Sequence, residues 1–313
     1  MITIAGEALM DVVTDASGSV TAFPGGAPFN VARTIAQMGG VCQFVGRFSD
    51  DDFGRQLRSA LEREGVAIPV REATSAPTTL AIAQVDDTGS ADYRFYLEGT
   101  AAAQLRPGDI PPDLLAGSNA LALGGLGILI EPTASTLLGL IRQAPPEVTV
   151  LLDPNCRPRA ITDTARYHKT VAALLLRTDV AKVSVDDLRL LAPGTDARAA
   201  ARGLLELGPA AVLVTDGPTP VWIHTAAGER SMAVPEVDVV DPIGAGDAFV
   251  AGFLTWWCVH GQRRADVADV NALGEATAAG ITVAAAACSV RGANLPEGFG
   301  WSSAPPQARL RVP

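Results

Sequence analysis

Short apolar runs at residues 2–6, 41–46, 120–124, 148–153, 180–184 and 211–215 recur along this chain with helix-like segments between them. Each run is too short for a helix and lacks the polar alternation of a strand with one wet face, so the runs are predicted to be strands buried on both sides. Buried strands joined by helical crossovers predict an α/β fold with a mostly parallel sheet flanked by helices. Among the connecting helices, one is predicted over 51–64, capped by Ser49 or Asp50, and another over 197–207. Two regions break the rhythm. Residues 11–24 and 78–97 alternate in polarity around turn signals, Asp15-Ala16-Ser17-Gly18 and Asp86-Asp87-Thr88-Gly89. They are predicted to form hairpins, either as a small β-sheet lid built from about 11–24 and 70–100 or as edge hairpins of the body. At 313 residues the chain is expected to form one domain carrying this insertion. The tail beyond Gly298, with Pro305, Pro306 and Pro313, is expected to be irregular, and no internal repeat is present.

A formal charge of −10 argues against nucleic acid or an anionic membrane as partner, since both are polyanions. A small molecule is the better expectation. The four cysteines, Cys42, Cys156, Cys258 and Cys288, are scattered and form no Cys-x-x-Cys pair, so reduced buried thiols are expected rather than a zinc site. His168, His224 and His260 are equally dispersed. The amino terminus lacks the basic start of a signal peptide, and the apolar runs near 120–130 and 277–288 are too short to cross a bilayer. A cytoplasmic protein is expected.

The stretch Val239-Val240-Asp241-Pro242-Ile243-Gly244-Ala245-Gly246-Asp247-Ala248-Phe249 carries the chemistry. Gly244, Ala245 and Gly246 let an anion approach the backbone N–H groups, and the apolar residues that follow predict a buried helix whose first turn faces the same place. Asp247 would repel a bound phosphate there unless it takes a proton from an attacking hydroxyl; its other reading is a carboxylate complementing the helix dipole. Other catalytic and phosphate-binding motifs fail. Neither lysine, Lys169 or Lys182, follows a glycine as a Walker loop requires, the dinucleotide fingerprint lacks its third glycine, and no Gly-x-Ser-x-Gly elbow occurs. A second glycine motif does hold: Gly25-Gly26-Ala27-Pro28-Phe29-Asn30-Val31-Ala32, with Pro28 suited to a first helical turn and Val31, Ile35 and Met38 forming an apolar stripe. Asn30 there offers a donor and an acceptor to hydroxyls, or is simply exposed at a loop-to-helix junction.

Together these two motifs, in this order and separation, with the expected lid, resemble the ribokinase-like (PfkB) family of carbohydrate kinases over essentially the whole chain, and fructokinases most. The resemblance implies a Rossmann-type α/β body with a β-sheet lid, ATP as co-substrate with Mg2+, and K+ as an optional monovalent ion. It implies Asp247 as catalytic base and the Gly244, Ala245 and Gly246 backbone as the cradle for the phosphoryl group. On the acceptor side it assigns Asp11, Gly25, Gly26 and Asn30 to the sugar, with Arg94 and Tyr96 from the lid and Arg157 from Asp153-Pro154-Asn155-Cys156-Arg157. On the nucleotide side it assigns Lys182, Ser184, Thr215, Gly217 and Gly292, together with Gly246.

In Lys182-Val183-Ser184-Val185-Asp186-Asp187, Ser184 and Asp187 stand where the family has asparagine and glutamate. Asp187 would then reach magnesium through water, while Ser184 reads equally as a helix N-cap. Asp241 would lie at a monovalent-cation site. The implied reaction is phosphoryl transfer to a hydroxymethyl oxygen of a small sugar, fructose first, with 2-keto-3-deoxygluconate or ribose as alternatives. A binding protein without catalysis is the other class of reading. Homodimerisation through the lid would be a natural use of its exposed edge.

Overall fold

The computed structural model describes residues 1–14, 17–85 and 91–300. The turn residues Asp15 and Ala16, the Asp86-Asp87-Thr88-Gly89 turn and the proline-containing tail beyond 300 lie outside the described residues.

The main sheet has eight strands. In chain order its members are β1 (Ile2–Ala5), β4 (Cys42–Val45), β7 (Ala120–Gly124), β8 (Thr149–Asp153), β9 (Val180–Ser184), β10 (Ala211–Thr215), β11 (Val221–Thr225) and β12 (Gly228–Met232). All six expected buried runs form strands, in the spatial order β12-β11-β10-β9-β8-β7-β1-β4. From β4 to β10 the pairs are parallel; β11 and β12 add antiparallel strands at one edge. Alternate residues of the same strand enter opposite cores. Ile4, Ala122 and Leu213 face the side covered by α1 (Ala27–Gln37), α2 (Asp52–Arg63), α7 (Ala245–Val259) and α8 (Val270–Cys288). Ala5, Leu123 and Val212 face α3 (Thr133–Arg142), α4 (Thr164–Leu175), α5 (Val185–Leu191) and α6 (Ala197–Leu205).

Helix α2 is capped by Asp51, whose carboxylate accepts from Gly54 N at 2.7 Å. Ser49 and Asp50 do not fill that role: Ser49 Oγ accepts instead from Asp51 N and so holds the capping residue. Helix α8 is longer than the apolar run that marks it. Its 19 residues meet the length and hydropathy of a membrane span, yet most of that stretch is buried inside the molecule, where Gly280 and Gly252 bring α8 and α7 into close contact. A Cβ on Gly252 would lie 2.8 Å from Ala279 O, so only glycine permits that approach.

A separate four-stranded sheet is formed by β2 (Leu9–Thr14), β3 (Val20–Gly25), β5 (Leu80–Val85) and β6 (Ala91–Tyr96), in the order β3-β2-β5-β6. Its two antiparallel hairpins are joined by a parallel β2–β5 pair, an arrangement the local turn signals do not convey. In the main sheet, β1 is flanked by β4 on one side and β7 on the other, so the chain changes direction between β1 and β7. Open α/β sheets hold their ligands beyond the strand ends at such a switch point.

Candidate active site

The carboxyl ends of β1, β7, β8 and β9 open into a cavity of about 920 Å³ lying between the body and the small sheet. Register brings these ends level: Gly124 is opposite Asp153, and Ser184 is opposite Thr215. The wall of the cavity contains Asp11, Gly26, Asn30, Arg157, Lys182, Ser184, Asp187, Gly244, Ala245, Gly246 and Asp247, so motifs more than two hundred residues apart converge on one space.

Gly244 caps α7 in the left-handed conformation, φ 80°, and offers no side-chain acceptor to the first turn. Its Cβ, if present, would sit 2.6 Å from Ala293 Cβ. The N–H of Ala245 is occupied by Pro242 O at 3.2 Å, so it is not one of the open donors. Among the described residues, the N–H groups of Gly244, Gly246 and Asp247 have no partner. A helix N-terminus with unfilled donors is an anion site. Lys182 adds a positive charge beside it: a Cβ on Gly246 would lie 3.1 Å from Lys182 Nζ.

Asp247 is 7 % exposed. Asn30 Nδ2 donates to its Oδ2 at 2.9 Å and Asn155 Nδ2 to its Oδ1 at 3.5 Å, so amides from two different elements fix the carboxylate plane. Asn155 reaches it from a positive φ of 43°, an uncommon conformation for a non-glycine residue. Burial pushes Asp247 up to about 7; the Asn30 bond opposes that shift, and Asp153 adds to it. A carboxylate poised near neutrality with a free lone pair facing the cavity is suited to accept a proton.

Lys182 pairs with Asp153 at 2.9 Å in the interior. Burial disfavours its charge, but Asp153, Asp187 and Asp247 outweigh burial and hold it above the ordinary lysine range. Ser184 caps α5 and Asp187 answers it: Ser184 Oγ accepts from Asp187 N, while Asp187 Oδ2 accepts from Ser184 N and Oγ at 2.7 Å. Asp187 Oδ1 accepts from Cys156 N at 2.6 Å. Both readings of Ser184 therefore meet at one place: it is an N-cap that also lines the cavity.

Asp11 lies on β2 with its carboxylate over Gly25, where a Cβ would come within 2.0 Å of Asp11 Oδ2. Gly25 itself does not line the cavity; its contribution is room for Asp11. Burial raises Asp11 to about 6, against the pull of Arg157. Glu7, beyond β1, is 2 % exposed and burial pushes it up to about 7, against backbone N–H bonds of which that from Gly127 is the strongest.

The small sheet corrects the sequence reading. Arg94 and Tyr96 point away from the cavity and are exposed, whereas their neighbours Tyr93 and Phe95 line it, stacked with ring centroids 6.1 Å apart. Period-two alternation puts the two pairs on opposite faces, and only the packing of the sheet decides which face is inward. Thr215, Gly217 and Gly292 also lie outside the cavity wall. Gly292 N donates to Asp241 Oδ2 at 2.9 Å, and Ile243 N donates to Oδ1 at 3.0 Å, so Asp241 ties the late loop to the glycine turn. Asn155, Glu7 and Arg159 are lining residues for which the sequence reading named no site role. Asn155 sits inside a motif that the reading did quote, and the others had no local signal beyond their charge or their strand.

Open donors at a helix N-terminus, a buried carboxylate held near neutrality and a buried side-chain amide share one cleft, an arrangement that suits phosphoryl transfer to an alcohol. The chain belongs to the pfkB family of carbohydrate kinases, which residues 1–297 match. It is 32 % identical over 265 residues to fructokinase of Klebsiella pneumoniae, covering 83 % of this chain and 85 % of that one. Among solved structures, Xylella fastidiosa fructokinase with bound ATP superposes with TM-score 0.86 at 28 % identity, covering 93 % of both chains. A double mutant of Vibrio cholerae O395 fructokinase, with fructose, ADP and potassium ion bound, gives 0.82 at 25 % identity, again over 93 % of both.

Proposed function

We propose that this carbohydrate kinase transfers the γ-phosphoryl group of ATP to a hydroxymethyl oxygen of fructose. The observation that carries the reading is Asp247, held by Asn30 beside the open amides of Gly246 and of Asp247 itself. Asp247 accepts the hydroxyl proton as the oxygen attacks. The amides of Gly244, Gly246 and Asp247, with the Lys182 ammonium, donate to the phosphoryl oxygens as charge redistributes over them. Asn30 Oδ1 is buried without a partner and lines the acceptor side, where a sugar hydroxyl would donate to it. Asp11 accepts from further hydroxyls, Gly25 makes room for it, and the charge of Arg157, also in the cavity wall, favours its ionised form. Tyr93 and Phe95 close the acceptor side under the small sheet, which acts as a lid excluding water. Thr215, Gly217 and Gly292 belong to a nucleotide end outside the cavity wall.

Among the described residues there is no cluster of three His, Cys, Asp or Glu able to cage a metal ion. Magnesium entering with nucleotide phosphates keeps most of its waters and needs only one or two carboxylates. Asp187, whose oxygens already accept three protein bonds, fits a contact through water. Bound there, magnesium would neutralise phosphate charge. Potassium is proposed at the junction where Asp241 meets the late loop. The cytoplasm is the expected compartment, and exposed Val20 and Phe23 on the β3 edge support the expected homodimer through the small sheet.

Fructose is favoured by the fructokinase relatives, one of which holds fructose itself. A coupled assay of ADP production against fructose, ribose and 2-keto-3-deoxygluconate tests the reading. The highest kcat/KM is expected with fructose, and no sugar-dependent ADP at all would reject a kinase.

A further inference from the structure

Helix α1 has no cap of its own. Its N-cap residue is Gly26, at φ 104°, with no side chain to accept a bond and no acid in the first turn. Space forbids one, because a Cβ on Gly26 would lie 2.9 Å from Glu7 O. The missing acceptor comes from Glu7, which lies at the switch point after β1. Glu7 Oε1 accepts from Ala27 N at 3.3 Å, and Oε2 accepts from Gly127 N at 2.9 Å. Gly125, at φ 66°, makes room for it, since a Cβ there would sit 2.5 Å from Oε1. One carboxylate therefore joins the end of β1, the segment after β7 and the first turn of α1. Asn30 is three residues beyond Ala27 and its Nδ2 reaches Asp247.

We propose that Glu7 is a positioning residue for the kinase reaction: it serves as the remote cap of α1 and thereby holds Asn30 against Asp247 and the acceptor hydroxyl. It is not itself in contact with the reacting atoms. The inference rests on the kinase reading, and three features support it. The residue is almost wholly enclosed, its two oxygens are spent on separate segments, and the helix it serves bears the amide that orients the base. A helix cap contributes only modestly to stability in ordinary settings. Here the consequence is amplified, because a small displacement of Asn30 changes both the acceptor geometry and the base.

The test is a double-mutant cycle on the full chain with Glu7→Gln, Asn30→Ala and the pair, read by initial rates with ATP and fructose and by amide hydrogen exchange over residues 27–30. Glu7→Gln is expected to lower acceptor kcat/KM by roughly 10–100-fold with the KM for ATP within about 3-fold, and to speed exchange in the first turn of α1. In the Asn30→Ala background the same change should cost less than about 3-fold, because its route to the reaction is already gone. Full multiplication of the two effects, an equal rise in the KM for ATP, or unchanged exchange would each overturn the proposal. If Glu7→Gln does not fold, Glu7→Asp, too short to reach both amides, goes through the same cycle. A wild-type chain inactive on every sugar would reject the kinase reading, and exchange in the variants would then still decide whether Glu7 caps α1.

Discussion

The molecule contains two glycine-to-helix junctions that look alike as sequence and do opposite things. Gly25-Gly26 opens α1 and Gly244-Ala245-Gly246 opens α7; neither N-cap residue has a side chain, and both helices point at the same cavity. At α1 the end already holds an internal carboxylate, and of the first-turn amides only that of Phe29 is left without a partner among the described residues. Glu7 takes the Ala27 N–H, Pro28 has none to offer, and Asn30 N bonds Gly26 O at 2.9 Å. At α7 the Gly246 and Asp247 amides stay open, with Lys182 beside them and no carboxylate accepting from them. A helix N-terminus that receives an internal anion becomes a rigid mount for side chains, and one left unfilled becomes a binding site for an external anion.

The sharpest way to break this contrast is at the base. Asp247→Asn is expected to cut turnover by ~10²–10⁴-fold while leaving sugar binding in place, as steady-state rates and sugar titration would show. It should also raise the unfolding temperature at pH 8. A buried carboxyl whose folded pKa is raised stabilises the fold below its unfolded pKa and loses that contribution as pH rises through about 7. The variant's advantage should therefore shrink as pH falls from 8 towards 4. An equal advantage at both ends would mean that Asp247 is not held near neutrality.

Alanine at each N-cap compares the junctions directly. Gly244→Ala forces a left-handed residue against Ala293 and should lower kcat/KM for ATP by roughly 10–100-fold; Gly26→Ala presses on the Glu7 carbonyl and should fall instead on the sugar. If both variants damage the same substrate, the division of labour between the two helices is wrong.

The pH profile provides a finer probe. Log kcat/KM should decline with a slope of one below about 7, where Asp247 takes up a proton. Asn30→Ala removes a donor to the carboxylate, so the midpoint should move upward by roughly half to one unit. A downward move would contradict the hydrogen bond seen here. The smallest effects belong to the small sheet. Tyr93→Ala and Phe95→Ala should weaken acceptor kcat/KM by about 10-fold through lost packing against the sugar, whereas Arg94→Ala and Tyr96→Ala should stay within about 2-fold.

Much of this was legible before any coordinates. Runs such as 180–184 and 211–215 are apolar on both sides because helices cover both faces, and that double burial is itself a sequence signal. Asp247 and Asn30 were readable because each follows a glycine-rich turn at a helix start. Other site residues carried no such signal. The β6 strand announces that Arg94 and Tyr96 share one face and Tyr93 and Phe95 the other, but not which pair faces the cavity. Asp241 and Gly292 are 51 residues apart and meet only because α7 and α8 fold back on each other.

The sequence by itself determined the α/β order, the two glycine junctions and the residue types placed in their first turns, since these follow from local periodicity and from backbone freedom within a few residues. Only the tertiary structure decided which helix end receives an internal carboxylate and which is left to an outside anion, because the acceptor for α1 arrives from Glu7 at the end of β1 and no carboxylate accepts from the open amides of α7. Whether a polar group is satisfied is a question of who lies within about 3 Å of it, and partners distant along the chain answer that only once it has folded.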